Sequence, residues 1–281
     1  MIREFKKSMM QKIQQILTGT FLAAFFVVSM FNTIALAELP EIDAKQVAVN
    51  VDEREDGDDE TAELEMILIN DKGQERNRKV QVYRKDYGKD SKMVMFFMEP
   101  ADVKDTGFLS WNYDDESKDD DQWLYLPALK KVRRISSSKK KDYFMGTDFT
   151  YEDMGDRDVD DYTYKHLGTE ILDGIECYHL EMTPKNDDIV KKTGYGRGEM
   201  WARPDIWMGI KMKFYDKKLK FLKELTLSDV EQINGIWTAK TMTMVNEQEK
   251  HKTVFHFSNI TYNSGLDDDI FSQRRLEKGI Q

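Results

Sequence analysis

The sequence is short of the residues that would make it easy to classify. A single cysteine, Cys177, excludes a disulfide scaffold, and five prolines in 281 residues exclude a collagen-like or proline-rich linker chain. The four histidines (His166, His179, His251, His256) show no H-E-x-x-H spacing, and no G-x-S-x-G elbow occurs, so zinc and serine hydrolases lack their motifs. A surplus of positive charge is missing too. Lys and Arg number 42 against 52 Asp and Glu, a net charge of −10, which excludes nucleic acid as the main partner. A calcium loop counted from Asp156 fails, because Asp161 holds the place of the turn glycine and Leu167 that of the bidentate glutamate. Gly194 to Gly198 has no helix pattern behind it and cannot serve as a dinucleotide loop. No catalytic residue, metal site or cofactor is read from the sequence. What remains is a soluble acidic chain, 40% hydrophobic and 33% charged, with 16 methionines.

The first 37 residues differ from the rest. Arg3, Lys6, Lys7 and Lys12 face only Glu4, an apolar run follows from Leu17 to Phe31, and Ala35-Leu36-Ala37 precedes Glu38. This is the arrangement of a cleaved secretory signal peptide. The alternative is an uncleaved anchor, since no charge occurs from Ile13 to Ala37. No cysteine follows the cut, so a lipid anchor is not expected. Residues 38–281 then form one exported domain, in which Cys177, in a strand-like alternation, reads as a buried structural thiol.

Beyond the leader the hydrophobic period is that of strands rather than helices. A short helix is expected after Pro40, where Ala44, Val47 and Val51 recur at helical spacing. Leu64, Met66 and Leu68 share one strand face, and Asn70-Asp71-Lys72-Gly73 turns the chain back into Lys79 to Arg84. Lys92 to Met98 is apolar on both faces and needs cover on both, with the N-terminal helix as one source. Ile206, Met208, Ile210, Met212 and Phe214 alternate; then Leu219, Phe221, Leu225 and Leu227 repeat the pattern. Asn234-Gly235 makes another hairpin, His251 to Ile260 a further strand, and Asp267 to Glu277 a terminal helix anchored by Phe271. About a dozen antiparallel strands and a few helices predict a mainly β (α+β) domain whose meander curls into a barrel or sandwich to hide its edges.

The middle of the chain is less generic. Asp114 to Asp121 holds six acids, and seven cations fall between Lys130 and Lys141. Between them, Gln122 to Leu126 and Lys130 to Ile135 read as two strands around Pro127-Ala128, with Trp123 and Tyr125 on one face. An aromatic loop, Phe144 to Asp153, follows. The cations (Lys130, Lys131, Arg133, Arg134, Lys139, Lys140, Lys141) read either as a solvated, partly self-neutralised hairpin or as a docking surface for anionic head groups or an acidic partner.

The run D-D-Q-W-L-Y-L-P-A-L-K-K-V-R-R-I, followed by F-M-G-T-D-F-T-Y-E-D-M, resembles the signature of the LolA-like outer membrane lipoprotein-sorting protein family. Phe97 to Thr106, Phe214 to Lys218, Val230 to Ala239 and Asn263 to Phe271 match it as well, so the resemblance spans the mature chain. It implies a periplasmic protein of a Gram-negative cell: an incomplete antiparallel β-barrel, a few lidding helices, no enzymatic activity. It also implies a lipid or acylated lipoprotein as cargo and an RND/MMPL-like exporter as partner. The chain departs from LolA proper in its length and in the W-L-Y-L-P-A-L-K-K-V-R-R hairpin.

The residues support a monomeric carrier on their own terms, since a curled sheet around a void presents an apolar cleft for acyl chains. Its expected wall comprises Leu64, Met66, Leu68, Trp123, Tyr125, Met208, Ile210, Met212, Phe214, Leu219, Phe221 and Leu225. The same face could instead be a filled core. Phe144, Phe149 and Tyr151, with the seven cations, are the expected lid and partner surface. The alternative function is a non-transporting periplasmic adaptor that docks on an RND-class exporter through that hairpin.

Overall fold

In the structure, a computed structural model, residues 39–115 and 118–280 are described. The expected leader lies outside the described residues, as do Glu116 and Ser117 of the acidic cluster. The elements all fall within the unit Glu41–Gln281.

Thirteen strands form one antiparallel sheet: β1 (Asp59–Ile69), β2 (Glu75–Tyr87), β3 (Asp90–Glu99), β4 (Gly107–Asn112), β5 (Asp121–Leu126), β6 (Lys131–Ile135), β7 (Tyr162–Leu172), β8 (Ile175–Pro184), β9 (Tyr195–Arg203), β10 (Met208–Asp216), β11 (Phe221–Ile233), β12 (Ile236–Asn246) and β13 (His251–Tyr262). Three α-helices among the described residues complete it: α1 (Ala44–Asp52), α2 (Asp187–Thr193) and α3 (Gln273–Lys278).

Local chemistry sets the hairpins. Asn234 and Gly235 both have positive φ, 52° and 86°, which gives the primed turn that matches strand twist and pairs Ile233 with Ile236. At the β1–β2 turn the Asn70 side chain accepts from the Lys72 and Gln74 amides at 3.0 and 2.9 Å. Asp43 caps α1 by accepting from the Lys45 and Gln46 amides, and the helix buries Ala44, Val47 and Ala48.

The strand order is β6-β5-β4-β3-β2-β1-β13-β12-β11-β10-β9-β8-β7. Every strand lies beside its sequence neighbours except β6 and β7, and β13 returns to pair with β1 as well as with β12. The two edges, β6 and β7, are consecutive in the chain. The sheet is therefore open, and residues 136–161, which join its edges, pass from one side of the gap to the other as a strap.

Side chains from ten strands, β1 to β5 and β9 to β13, meet in one apolar cluster with the strap's Phe144, Phe149 and Met154. Laid flat, β5 and β9 would stand about 40 Å apart at the usual strand spacing. A shared cluster requires the sheet to curl about the strap. The incomplete antiparallel barrel expected from sequence is this open, curled sheet.

The outer face has its own cover. On β3, Met95 and Phe97 point into the inner cluster, while Val94 and Phe96 join Leu109, Trp123, Phe271 and Leu276 on the other side. The N-terminal helix was the expected cover here. The C-terminal segment supplies it instead, because Gly107 lets Leu276 approach where any Cβ would come within 2.6 Å of its Cδ1. The expected terminal helix is broken at Ser272 into a 3₁₀ turn (Asp268–Phe271) and α3, with the Ser272 hydroxyl accepting from the Arg275 amide.

Candidate functional site

The inner face is built from β1 to β5 and β9 to β13, where strand alternation points one residue in two at the strap. Leu64, Met66 and Leu68 on β1 and Phe214 and Leu225 on β10 and β11 are buried there, with Met212 packed beside them. The strap lies against this wall. Phe149 stacks on Phe255 with centroids 4.3 Å apart, and Phe144 meets Phe108 at 5.0 Å and Tyr151 at 5.4 Å. The expected lid residues Phe144, Phe149 and Tyr151 thus occupy the floor of the expected cleft.

Six of the twelve expected cleft residues stand elsewhere, for identifiable reasons. A bulge in β10 between Gly209 and Lys211 shifts the pairing with β9 by one residue. One residue of slip exchanges the two faces. Met208 and Ile210 consequently pack in a separate cluster with Cys177, Trp201 and Ile206, away from Met212 and Phe214. A second shift, between Phe214 and Tyr215, turns Phe221 outward, while Lys223 keeps the inward phase of Leu225. Phe221 is 36% exposed and Leu219, at the β10–β11 turn, 61%. Trp123 and Tyr125 lie on the outer face beneath the C-terminal segment, since Leu124 takes the inward phase of β5.

Lys223 is the residue the sequence reading passed over. Its side chain is 0% exposed, and its ammonium donates to the Asp153 carboxylate at 2.8 Å and to the Asp148 carbonyl at 2.7 Å. Tyr195, 4% exposed, donates its hydroxyl to the same carboxylate at 2.8 Å. The rings of Tyr195, Phe214 and Tyr143 stand 5.2 to 5.8 Å from the ammonium. Burial alone would raise the Asp153 pKa, but Lys223 and the Thr150 amide outweigh it and hold the carboxyl ionised. The available signal was a lysine in phase with Leu225 and Leu227.

Further bonds fix the strap along its length. Thr253 and His251 both reach the Asp148 carboxylate at 2.7 Å, Arg78 donates to the Met145 carbonyl at 2.6 Å, and Gln122 donates to the Tyr151 carbonyl at 2.8 Å. Among the seven cations, Lys140 is buried against Asp119 at 2.7 Å and Arg134 pairs with Asp121. Lys130, Lys131, Arg133, Lys139 and Lys141 are exposed. Part of the basic run is therefore neutralised by the acidic cluster next to it.

The fold is similar to that of a LolA superfamily protein from Nitrosomonas europaea. That match has a TM-score of 0.63 at 19% identity and covers 83% of this chain and 99% of the other. A family model described as an uncharacterized protein matches residues 89–278. A DUF1329 family protein from Desulfovibrio piger is 39% identical with a TM-score of 0.78, over 83% of this chain and 97% of that one. A protein described as an outer membrane lipoprotein-sorting protein domain, from Vibrio parahaemolyticus, is 33% identical with a TM-score of 0.77, over 83% and 98%. No curated protein matches the chain. The chain belongs to the DUF1329 family. No helix among the described residues is long and apolar enough to cross a membrane.

Proposed function

We propose that the protein is a periplasmic, non-enzymatic carrier that takes a lipid, or the acyl chains of a lipoprotein, against its inner face for transfer toward the outer membrane. In this reading residues 1–37 are a cleaved export signal and the carrier works as a monomer beside an RND/MMPL-like exporter. The relationship to the lipoprotein-sorting domain from Vibrio parahaemolyticus supports it. One observation carries it: the apolar inner wall is covered by a strap across an open gap, not by closure of the sheet. A cover of that kind can be exchanged.

The magnitudes allow the exchange. Withdrawing Phe144, Phe149 and Met154 forfeits about 5–9 kcal/mol of apolar burial, at about 1.5–3 kcal/mol per side chain. An acyl chain returns about 0.8 kcal/mol per methylene, so about six to eleven methylenes restore the balance. Ordinary lipid acyl chains exceed that length. Six expected wall residues face the exchange site: Leu64, Met66, Leu68, Met212, Phe214 and Leu225. The test is mass spectrometry of organic extracts from protein purified out of its own periplasm. Acyl lipid is expected near one molecule per chain. Extracts without lipid, from a protein that also fails to bind added acyl lipid, would contradict the reading.

The exposed cations of the β5–β6 hairpin favour a second role for the same protein, docking on the exporter. Charge reversal at Lys130, Lys131 and Arg133 is expected to abolish exporter pull-down and leave lipid loading intact. Lys140 is unsuited to that test because its ammonium is buried against Asp119. Unchanged pull-down would argue against docking there.

A further inference from the structure

Two hydrogen-bond donors of the wall converge on one point of the inner face. Lys223 on β11 and Tyr195 on β9 are 0% and 4% exposed, and both aim at a carboxylate that the wall itself does not provide. The carboxylate belongs to Asp153, on the strap. The strap that brings this anion also brings Phe149 and Phe144 into the adjoining apolar floor, against Phe255 and Phe108. A carboxylate followed by apolar bulk is the outline of an anionic amphiphile.

We propose that Lys223 Nζ and Tyr195 Oη form an anion subsite that takes the head-group carboxylate of an acyl cargo in place of the Asp153 carboxylate. The inference rests on the carrier reading above and narrows its cargo to amphiphiles with an anionic head. The physical reason is charge balance. Displacing the strap with a neutral chain would leave a buried ammonium without its counter-ion, which is far costlier than exchanging one carboxylate for another. The wall therefore selects against neutral tails and for a tail that carries its own anion. The other charges near this point do not replace Asp153: Asp148 and Arg157 both belong to the strap, the Asp148 carboxylate bonded to Thr253 and His251 and Arg157 facing Met212 and the Phe214 ring. Loading breaks no covalent bond and consumes no co-reactant. Asp153 leaves with the strap, and the cargo carboxylate accepts from the same two donors.

The test compares a fluorescent polyene fatty acid with its methyl ester, at mildly acidic to neutral pH, on the full protein. Wild-type protein is expected to bind the acid at least about tenfold more tightly than the ester, the difference a charge-assisted hydrogen bond makes. Asp153→Asn frees the subsite of its resident anion and is expected to strengthen acid binding while lowering the cost of opening. In the Asp153→Asn/Lys223→Met double variant, which removes both members of the pair, the preference for the acid is expected to collapse to parity. Tyr195→Phe is expected to reduce the preference without abolishing it. Equal binding of acid and ester to wild-type protein would overturn the anion subsite and leave the carrier reading standing. A preference that persists in the double variant would also overturn it. Failure of both probes to bind would overturn the carrier reading together with the subsite.

Discussion

The Lys223 ammonium and the Asp153 carboxylate meet 2.8 Å apart with the lysine wholly buried, one on the wall and the other on the strap that covers it. Breaking such a pair from one side costs more than removing it altogether, since the survivor is left charged and dry. Lys223→Met alone is expected to destabilise the protein by about 3–5 kcal/mol in urea unfolding. The double variant with Asp153→Asn is expected to lose clearly less than the sum of the single losses. Additive losses would mean that the two charges do not support each other.

Gly107 fixes the C-terminal segment to the outer face. A Cβ there would come within 2.6 Å of Leu276 Cδ1 and 3.3 Å of the Leu276 carbonyl oxygen. Gly107→Val is expected to cost about 1–3 kcal/mol by overpacking and to loosen residues 266–280. Trp111 donates its indole N–H to the Phe271 carbonyl at 3.0 Å, and Trp123 is buried beneath the same segment. A red shift in tryptophan fluorescence and faster proteolysis at the C-terminus are the readouts. An unshifted spectrum would contradict the packing argument.

Asp59 ties the same segment to β1. Its carboxylate accepts from the Ser264 amide and hydroxyl at 2.8 and 2.9 Å and from the Gly265 and Leu266 amides at 2.7 and 3.1 Å. Burial alone would raise its pKa, but these donors outweigh burial and hold it below the ordinary value. A depressed carboxyl contributes its stability in full above the unfolded pKa of about 3.9 and loses it as pH falls through the lower folded value. Asp59→Asn is expected to cost about 1.5–3 kcal/mol at neutral pH. The gap from wild-type should stay constant down to about pH 4 and close below it, as read by unfolding at stepped pH. A gap that widens on acidification would contradict the sign.

Cys177 is buried among Trp201, Ile206, Met208 and Ile210, and burial pushes its thiol up to about 11. Only the thiolate is nucleophilic, so at neutral pH the native protein is expected to resist iodoacetamide and to react once unfolded. Prompt alkylation of the folded protein would contradict the burial.

Much of this architecture is legible in the chain. Leu64, Met66 and Leu68 alternate and all face inward, Asn234-Gly235 turns where its chemistry dictates, and Ala44 and Val47 bury one stripe of α1. The failures have local causes. Strand periodicity assumes unbroken register, and two of the irregularities in the pairing of β10, after Gly209 and after Phe214, each exchange inside for outside. Met208, Ile210 and Phe221 were lost to the inner face in this way, whereas Lys223 follows the plain alternation of Leu225 and was passed over for its charge. The return of β13 to lie beside β1, and the passage of residues 136–161 between the two edges, leave no periodic mark because both depend on distant parts of the chain.

In the proposed carrier, acyl cargo takes the place of the strap's aromatic side chains on the inner face. The strap's own backbone bonds, Phe144 N–H to Phe149 O at 2.7 Å, Tyr151 N–H to Asp142 O at 3.0 Å and Glu152 N–H to Lys140 O at 2.8 Å, give a direct observable. Hydrogen exchange of the full protein, with and without saturating fatty acid, reads their protection peptide by peptide. Exchange across residues 142–154 is expected to speed up on loading while β1, β12 and β13 keep their protection. Bound fatty acid with the strap's protection unchanged or increased would contradict it.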